Sequence, residues 1–152
     1  MIGDAGVVER LKARHPEAVE PMPAVDQPTV RVPKSVLLAV ARYLHDEEGY
    51  RLLIDVAGVD YLPERPRFEV VYHLLNPDTR ARLRVKCRVD EDEAVPSVTE
   101  VWPGADWPER EAYDLFGIRF EGHPHLTRIY MPDDWEGHPL RKDYPLRGPR
   151  ID

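Results

Sequence analysis

Hydrophobic and polar positions alternate most strictly in RARLRVKCRV, residues 80–89, where Ala81, Leu83, Val85, Cys87 and Val89 interleave with Arg80, Arg82, Arg84, Lys86 and Arg88. A period of two predicts a strand with one buried and one solvated face. Upstream, Arg67–Leu75 sets Phe68, Val70, Tyr72 and Leu74 on one face of a second strand, and Asn76-Pro77-Asp78 between the two runs reads as a turn. Arg51–Tyr61, rich in aliphatic residues, predicts a third strand in which Gly58 marks a bulge or bend. Thr29–Val32 is a fourth. The period lengthens between them: Val36, Val40 and Leu44 recur at i, i+4, i+8 beside Leu37 and Tyr43, predicting a helix with Pro33 in its first turn and a stop at Gly49. A shorter amphipathic helix is expected over Val7–Arg14, with residues 16–28 and their four prolines as a connector.

After Glu91 the character changes. Ser97–Trp102 reads as a helical turn or a short strand, and Asp106-Trp107-Pro108-Glu109 as a helix start, with Asp106 the N-cap and Glu109 closing a capping box. At about 100° per residue, Ala112, Tyr113, Leu115 and Phe116 gather on one side of this helix and Arg110, Glu111 and Asp114 on the other, with Arg110 and Asp114 an i, i+4 pair. Gly117 ends it. A short extended piece, IRFEG, leads into residues 122–152, where Pro124, Pro132, Pro139 and Pro145 each remove a backbone donor and constrain the preceding residue. The pattern predicts an α+β fold: a two-layer core over residues 1–121, with helices packed on a mixed sheet of about four or five strands, then an extended arm over 122–152.

Composition narrows the function classes. The 152 residues suit one domain, and no apolar run approaches the roughly 20 residues that cross a bilayer. MIGDAGVVER lacks the basic start and apolar stretch of a secretory signal, so cytoplasmic residence is expected. One cysteine, Cys87, excludes an internal disulfide and a cysteine-ligated iron–sulfur cluster held by this chain alone. A net charge of −7 argues against general nucleic-acid binding, although four cations against two carboxylates give residues 138–152 a formal +2.

Candidate chemistry is sparse. His123, His125 and His138 supply ligands that zinc would accept, but no helical H-x-x-x-H or C-x-x-C accompanies them; each His ahead of a Pro is read instead as a local hydrogen-bonding residue in a turn. Glu109, Glu111 and Asp114 offer carboxylates that capping and pairing already explain. The five cations of 80–88 form either a basic platform for RNA or a solvated sheet face balanced by acidic neighbours such as Glu69, with Cys87 on the core side. Composition favours association over catalysis. Arg110, Glu111 and Asp114 lie beside an arm bearing Arg128, Tyr130, Trp135, Arg141, Lys142 and Tyr144, residue types concentrated at recognition surfaces; the alternative reading is an arm wrapped over its own domain.

The run EREAYDLFGIRFEGHPHLTRIYMPDDWEGHPLRKDYPL, 109–146, closely resembles the signature region of the C-subunit family of proton-translocating NADH–quinone oxidoreductase, respiratory complex I. The similarity is carried by Glu109-Arg110-Glu111, Tyr113 to Ile118, Gly122-His123-Pro124, Arg128, Asp133-Asp134-Trp135 and Gly137 to Tyr144. LLIDVAGVDY, 52–61, extends it, and Thr127 departs from it, standing where relatives more often carry a basic residue. The resemblance implies a non-catalytic subunit on the cytoplasmic side of the membrane, peripheral to it, packed against subunits D and B. It also implies that this chain binds no cofactor, NADH, FMN, iron–sulfur clusters and quinone being held by partner subunits. Glu109, Arg110, Glu111, Asp114, His123, Arg128, Trp135, His138, Arg141, Lys142, Asp143 and Tyr144 are the expected interface residues, and the arm is expected to strap a neighbour.

Overall fold

Ala5–Arg14 forms helix α1 at the start of a computed structural model that describes residues 5–146. Val7 and Leu11, one turn apart, are buried beneath it. The proline-rich connector contributes an unexpected strand, β1 (Glu20–Met22), antiparallel to β2 (Thr29–Arg31). Two of its three residues are exposed, so no buried stripe announced it. Helix α2 (Lys34–Asp46) buries Leu37, Val40, Ala41 and Leu44. Pro33 sits at its N-cap rather than in the first turn, and Gly49, at φ +80°, turns the chain out of it.

β3 (Leu52–Asp60), β4 (Phe68–Leu75) and β5 (Arg82–Val89) pair antiparallel in sequence, and β5 runs parallel to β2. The five-stranded mixed sheet has the order β1-β2-β5-β4-β3. Residue for residue, β5 alternates as expected: Leu83, Val85, Cys87 and Val89 enter the core. Burial pushes the Cys87 thiol up to about 12, as an inert core group requires. The opposite face is less wet than the charge pattern suggested. Glu69 is fully buried, with Arg31 at 3.3 Å, Lys86 at 3.8 Å and Tyr61 donating to its carboxylate, so it is a neutralised anion under a layer of long side chains and not a solvated one.

Gly58 is not the bulge. The irregularity falls between Leu53 and Asp55, whereas a Cβ on Gly58 would stand 2.7 Å from the Phe116 ring, so this glycine lets a helix approach the sheet closely. That helix, α3 (Asp106–Phe116), follows a short parallel strand, β6 (Ala94–Pro96), and a 3-10 turn at Pro103–Ala105. β6 pairs with β7 (Arg119–Glu121), the expected extended piece. The helices pack with the alternate residues of the sheet in one core, in which Tyr72, Leu74, Val85 and Trp102 meet Leu37, Val40 and Leu44. The expected α+β architecture is therefore the one adopted.

The start of α3 corrects the capping box. Ala105 is the N-cap and makes no side-chain cap bond. Glu109 turns inward instead, where it is fully buried and accepts from the Ser97 hydroxyl at 2.6 Å and the Val98 N–H at 2.9 Å. Burial drives its carboxyl up to about 7, against the lowering effect of those two donors.

Candidate functional site

Residues 122–146 contain no helix or strand and lie against the chain's own core, held at two charged centres. The first is Asp114. Its expected helical pair with Arg110 does not exist: Arg110 bonds Thr127 and the Arg128 carbonyl, and stacks over Trp107 at 4.8 Å. Nor does Asp114 face outward. It is fully buried, takes Arg128 Nη1 on Oδ1 at 2.8 Å, and accepts the N–H groups of Ile129, Tyr130 and Met131 on Oδ2 at 3.1, 2.7 and 3.1 Å. Burial opposes its charge, yet these amides and the guanidinium outweigh that and hold the carboxyl below the usual range. Arg128 spends its other donors on the carbonyls of Trp135 and Gly137, both at 2.9 Å.

The C-terminus of α3 is closed by the same arm. A helix leaves its last carbonyls without intrahelical donors, and here three are taken in succession. His138 Nδ1 donates to the carbonyl of Asp114, the Leu140 N–H to that of Leu115 and Arg141 Nε to that of Phe116, at 2.9, 2.9 and 2.6 Å. Gly117 makes this possible twice over. Its φ is +78°, and a Cβ there would meet Arg141 Nη2 at 2.6 Å and His138 Cδ2 at 2.7 Å. Burial, with Arg141 and Arg128 nearby, lowers the His138 pKa and keeps the ring neutral at its carbonyl.

The second centre is Arg67, 1% exposed and immediately before β4. Its guanidinium makes a fork–fork pair with Asp60 at 2.9 and 2.8 Å and reaches Glu91 at 3.0 Å and Asp143 of the arm at 2.8 Å. The Asp60 carboxylate also accepts the backbone N–H of Lys142 at 2.8 Å. Burial works to raise Asp60, but Arg67 and the backbone donors hold its carboxyl well below the carboxylate range; the Arg67 pKa is raised in turn, chiefly by Asp60. Both Arg67 and Arg141 stand over the Phe68 ring, at 4.9 and 5.3 Å.

The twelve expected interface residues thus divide. Glu109 and Asp114 are internal, Arg128, His138, Arg141 and Asp143 bind the arm to the core, and Trp135 donates to the Tyr144 hydroxyl at 3.0 Å within the arm. His123 has no exposed side chain: its Nδ1 accepts from the His125 N–H, and its Nε2 lies 3.1 Å from the Asp106 carbonyl. His138 is engaged elsewhere, and among the described residues no three His, Cys, Asp or Glu side chains gather as a metal site. Glu111 and Lys142 are exposed, together with Trp107, Tyr130 and Leu140 at 61%, 65% and 53%. Asp60 and Arg67 escaped sequence reasoning, since an acid ending one strand and a base opening the next carry no sign that they pair. Arg147, Arg150 and Asp152 of the basic tail lie outside the described residues.

A small α+β domain clamped by its own extended arm, offering aromatic and aliphatic side chains along the seam, has the form of an assembly subunit. The chain belongs to the family described as respiratory-chain NADH dehydrogenase, 30 Kd subunit, whose model matches residues 30–150. It is 55% identical over 122 residues to the C subunit of the NADH-quinone oxidoreductase of Citrifermentans bemidjiense, covering 80% of this chain and 76% of that one. To the corresponding C subunit of Roseiflexus sp. (strain RS-1) it is 49% identical over 149 residues, 95% of this chain and 86% of the relative. Its fold superposes with a TM-score of 0.77 and 29% identity on a chain of the membrane-bound sulfane sulfur reductase, an archaeal respiratory membrane complex, covering 93% and 85% of the two chains.

Proposed function

We propose that this chain is a non-catalytic, peripheral subunit of an NADH–quinone oxidoreductase, packed against subunits D and B on the cytoplasmic side of the membrane. It carries no cofactor; NADH, FMN, the iron–sulfur clusters and quinone sit on its partners, and it supports electron transfer to quinone, coupled to proton translocation, by fixing their arrangement. The observation that carries this reading is the family match over residues 30–150, joined by relatives named as C subunits at about half identity. The structure is in keeping with it. The sole cysteine is buried and inert, His123 and His138 are engaged with backbone carbonyls of α3, and no helix among the described residues is long and apolar enough to cross a membrane. Exposed Trp107 and Tyr130 are of the kind that anchors interfaces.

Deleting the gene in its native host should abolish NADH:quinone reductase activity of membranes while the flavin-side NADH oxidation by artificial acceptors persists in soluble fragments. Full quinone reductase activity in the deletion strain would overturn the proposal. The likeness to the sulfane sulfur reductase chain favours one second reading, the equivalent subunit of a related respiratory dehydrogenase or hydrogenase, in which the deletion removes a different donor activity.

A further inference from the structure

β3 ends the large sheet: Leu52–Asp60 pairs with β4 on one side, and no described strand pairs with it on the other. A free strand edge is a template for another strand, and proteins blunt such edges with charges, bulges or covering loops. The arm meets one end, where the Lys142 N–H bonds the Asp60 carboxylate, and the other is blunted where the register shifts between Leu53 and Asp55 and the Asp55 carboxylate takes the Val56 N–H at 2.9 Å. Beyond it, the stretch from Asp55 to Gly58 is one wall of an open groove of about 210 Å³; Glu111, Leu115 and Phe116 of α3, with Leu140 of the arm, make the other. Gly58 sets its depth by admitting Phe116 against the sheet.

The groove is apolar with a charged mouth. Ala112, Leu115, Phe116 and the 53% exposed Leu140 face Val56 and Gly58 across it, while Leu52 and Ile54, 45% and 50% exposed, stand farther along the strand and outside its lining. Asp55 and Glu111 line it from the two walls, and among the described residues neither forms an ion pair. An edge backbone selects an extended chain, apolar walls select aliphatic side chains at alternate positions, and two unpaired carboxylates select a cation. The geometry points to a docking site for an extended, basic–aliphatic segment of a partner polypeptide, added to β3 as a sixth strand with its apolar residues turned toward α3 and a Lys or Arg between Asp55 and Glu111. This deepens the subunit assignment and rests on it for the presence of a partner.

The test uses the intact complex purified from native membranes through a tag on this chain, compared with the isolated chain. Amide exchange over residues 52–60 should slow at least about tenfold in the complex. A photo-crosslinking residue at Ile54 should join a single partner peptide containing Lys or Arg among aliphatic residues, while one at Met22 on the opposite edge strand should not join that peptide. D55K with E111K should remove most of the Ile54 crosslink while the near-ultraviolet circular dichroism of the isolated variant stays unchanged. Equal exchange of β3 in the two samples would overturn the inference, as would a crosslink to lipid, to an acidic segment or to a second copy of this chain. A complex recovered with β3 unprotected sinks the docking site alone; a chain recovered without any partner subunit sinks the subunit assignment as well.

Discussion

Arg128 reaches back fourteen residues to set its Nη1 2.8 Å from Oδ1 of Asp114, and this pair, with the three amides that follow it on Oδ2, makes that carboxylate a buried anchor. Removing one member of a buried pair leaves the other charge uncompensated and costs about 3–5 kcal/mol. Asp114→Ala also strands three backbone N–H groups, so the full cost is expected for it, read as a lower urea midpoint. Arg128→Ala leaves those amides on the carboxylate and should cost less, about 1–3 kcal/mol. Equal effects of the two substitutions would contradict the division of labour.

Arg67 and Asp143 offer a contrast within one cluster. Arg67→Ala leaves Asp60 buried beside Phe68 and should destabilise by about 3–5 kcal/mol. The Asp143 side chain is 55% exposed, so Asp143→Asn should cost less than about 1 kcal/mol. Chemical denaturation of both variants checks the ordering, and a larger loss for Asp143→Asn would refute it.

Gly117→Ala should loosen the arm before it unfolds the core. The left-handed backbone costs a non-glycine residue about 1 kcal/mol, and the clash with Arg141 and His138 adds to it. Limited proteolysis should cut between Gly122 and Leu146 faster than in the wild type, with the core fragment retained. A cleavage rate equal to wild type would mean the arm is held without the helix end.

Glu109 gives a pH signature of definite sign. Its carboxyl is raised from 4.5 to about 7, so the folded chain holds a proton that the unfolded chain has released, and stability from this group is present below pH 4.5 and lost as pH rises toward 7. Asp60 and Asp114, lowered, act oppositely and lose their contribution only as pH falls below 3.8. His73 and His138, also lowered, weaken the fold as pH falls below 6.5 and partly mask Glu109. The informative quantity is therefore the difference between wild type and Glu109→Gln, which should change with pH between 4.5 and 7 and be flat above it. A pH-independent difference would place the carboxyl at its ordinary value.

Periodicity made α2, β4 and β5 legible because a buried stripe repeats along each of them, and Gly49 and Gly117 marked the ends of α2 and α3 through a real left-handed backbone. The polar side of α3 misled for a physical reason. A charged residue opposite an apolar stripe reads as solvated, and nothing local to Asp114 reveals that a cation and three amides arrive from residues 128–131. Glu109 misled likewise, since a capping box and a buried carboxylate bonded to Ser97 share one local sequence. The arm reads from its composition either as a strap on a neighbour or as a wrap over its own domain, and the contacts of Arg128, His138 and Arg141 with α3 are those of the wrap.

Membership of a respiratory complex is decided by affinity purification of the tagged chain from gently solubilised membranes, with mass spectrometry of what copurifies and an NADH:quinone reductase assay of the eluate. Iron–sulfur and quinone-site polypeptides should copurify with reductase activity. Recovery of the chain alone, without that activity, would refute its place in such an assembly.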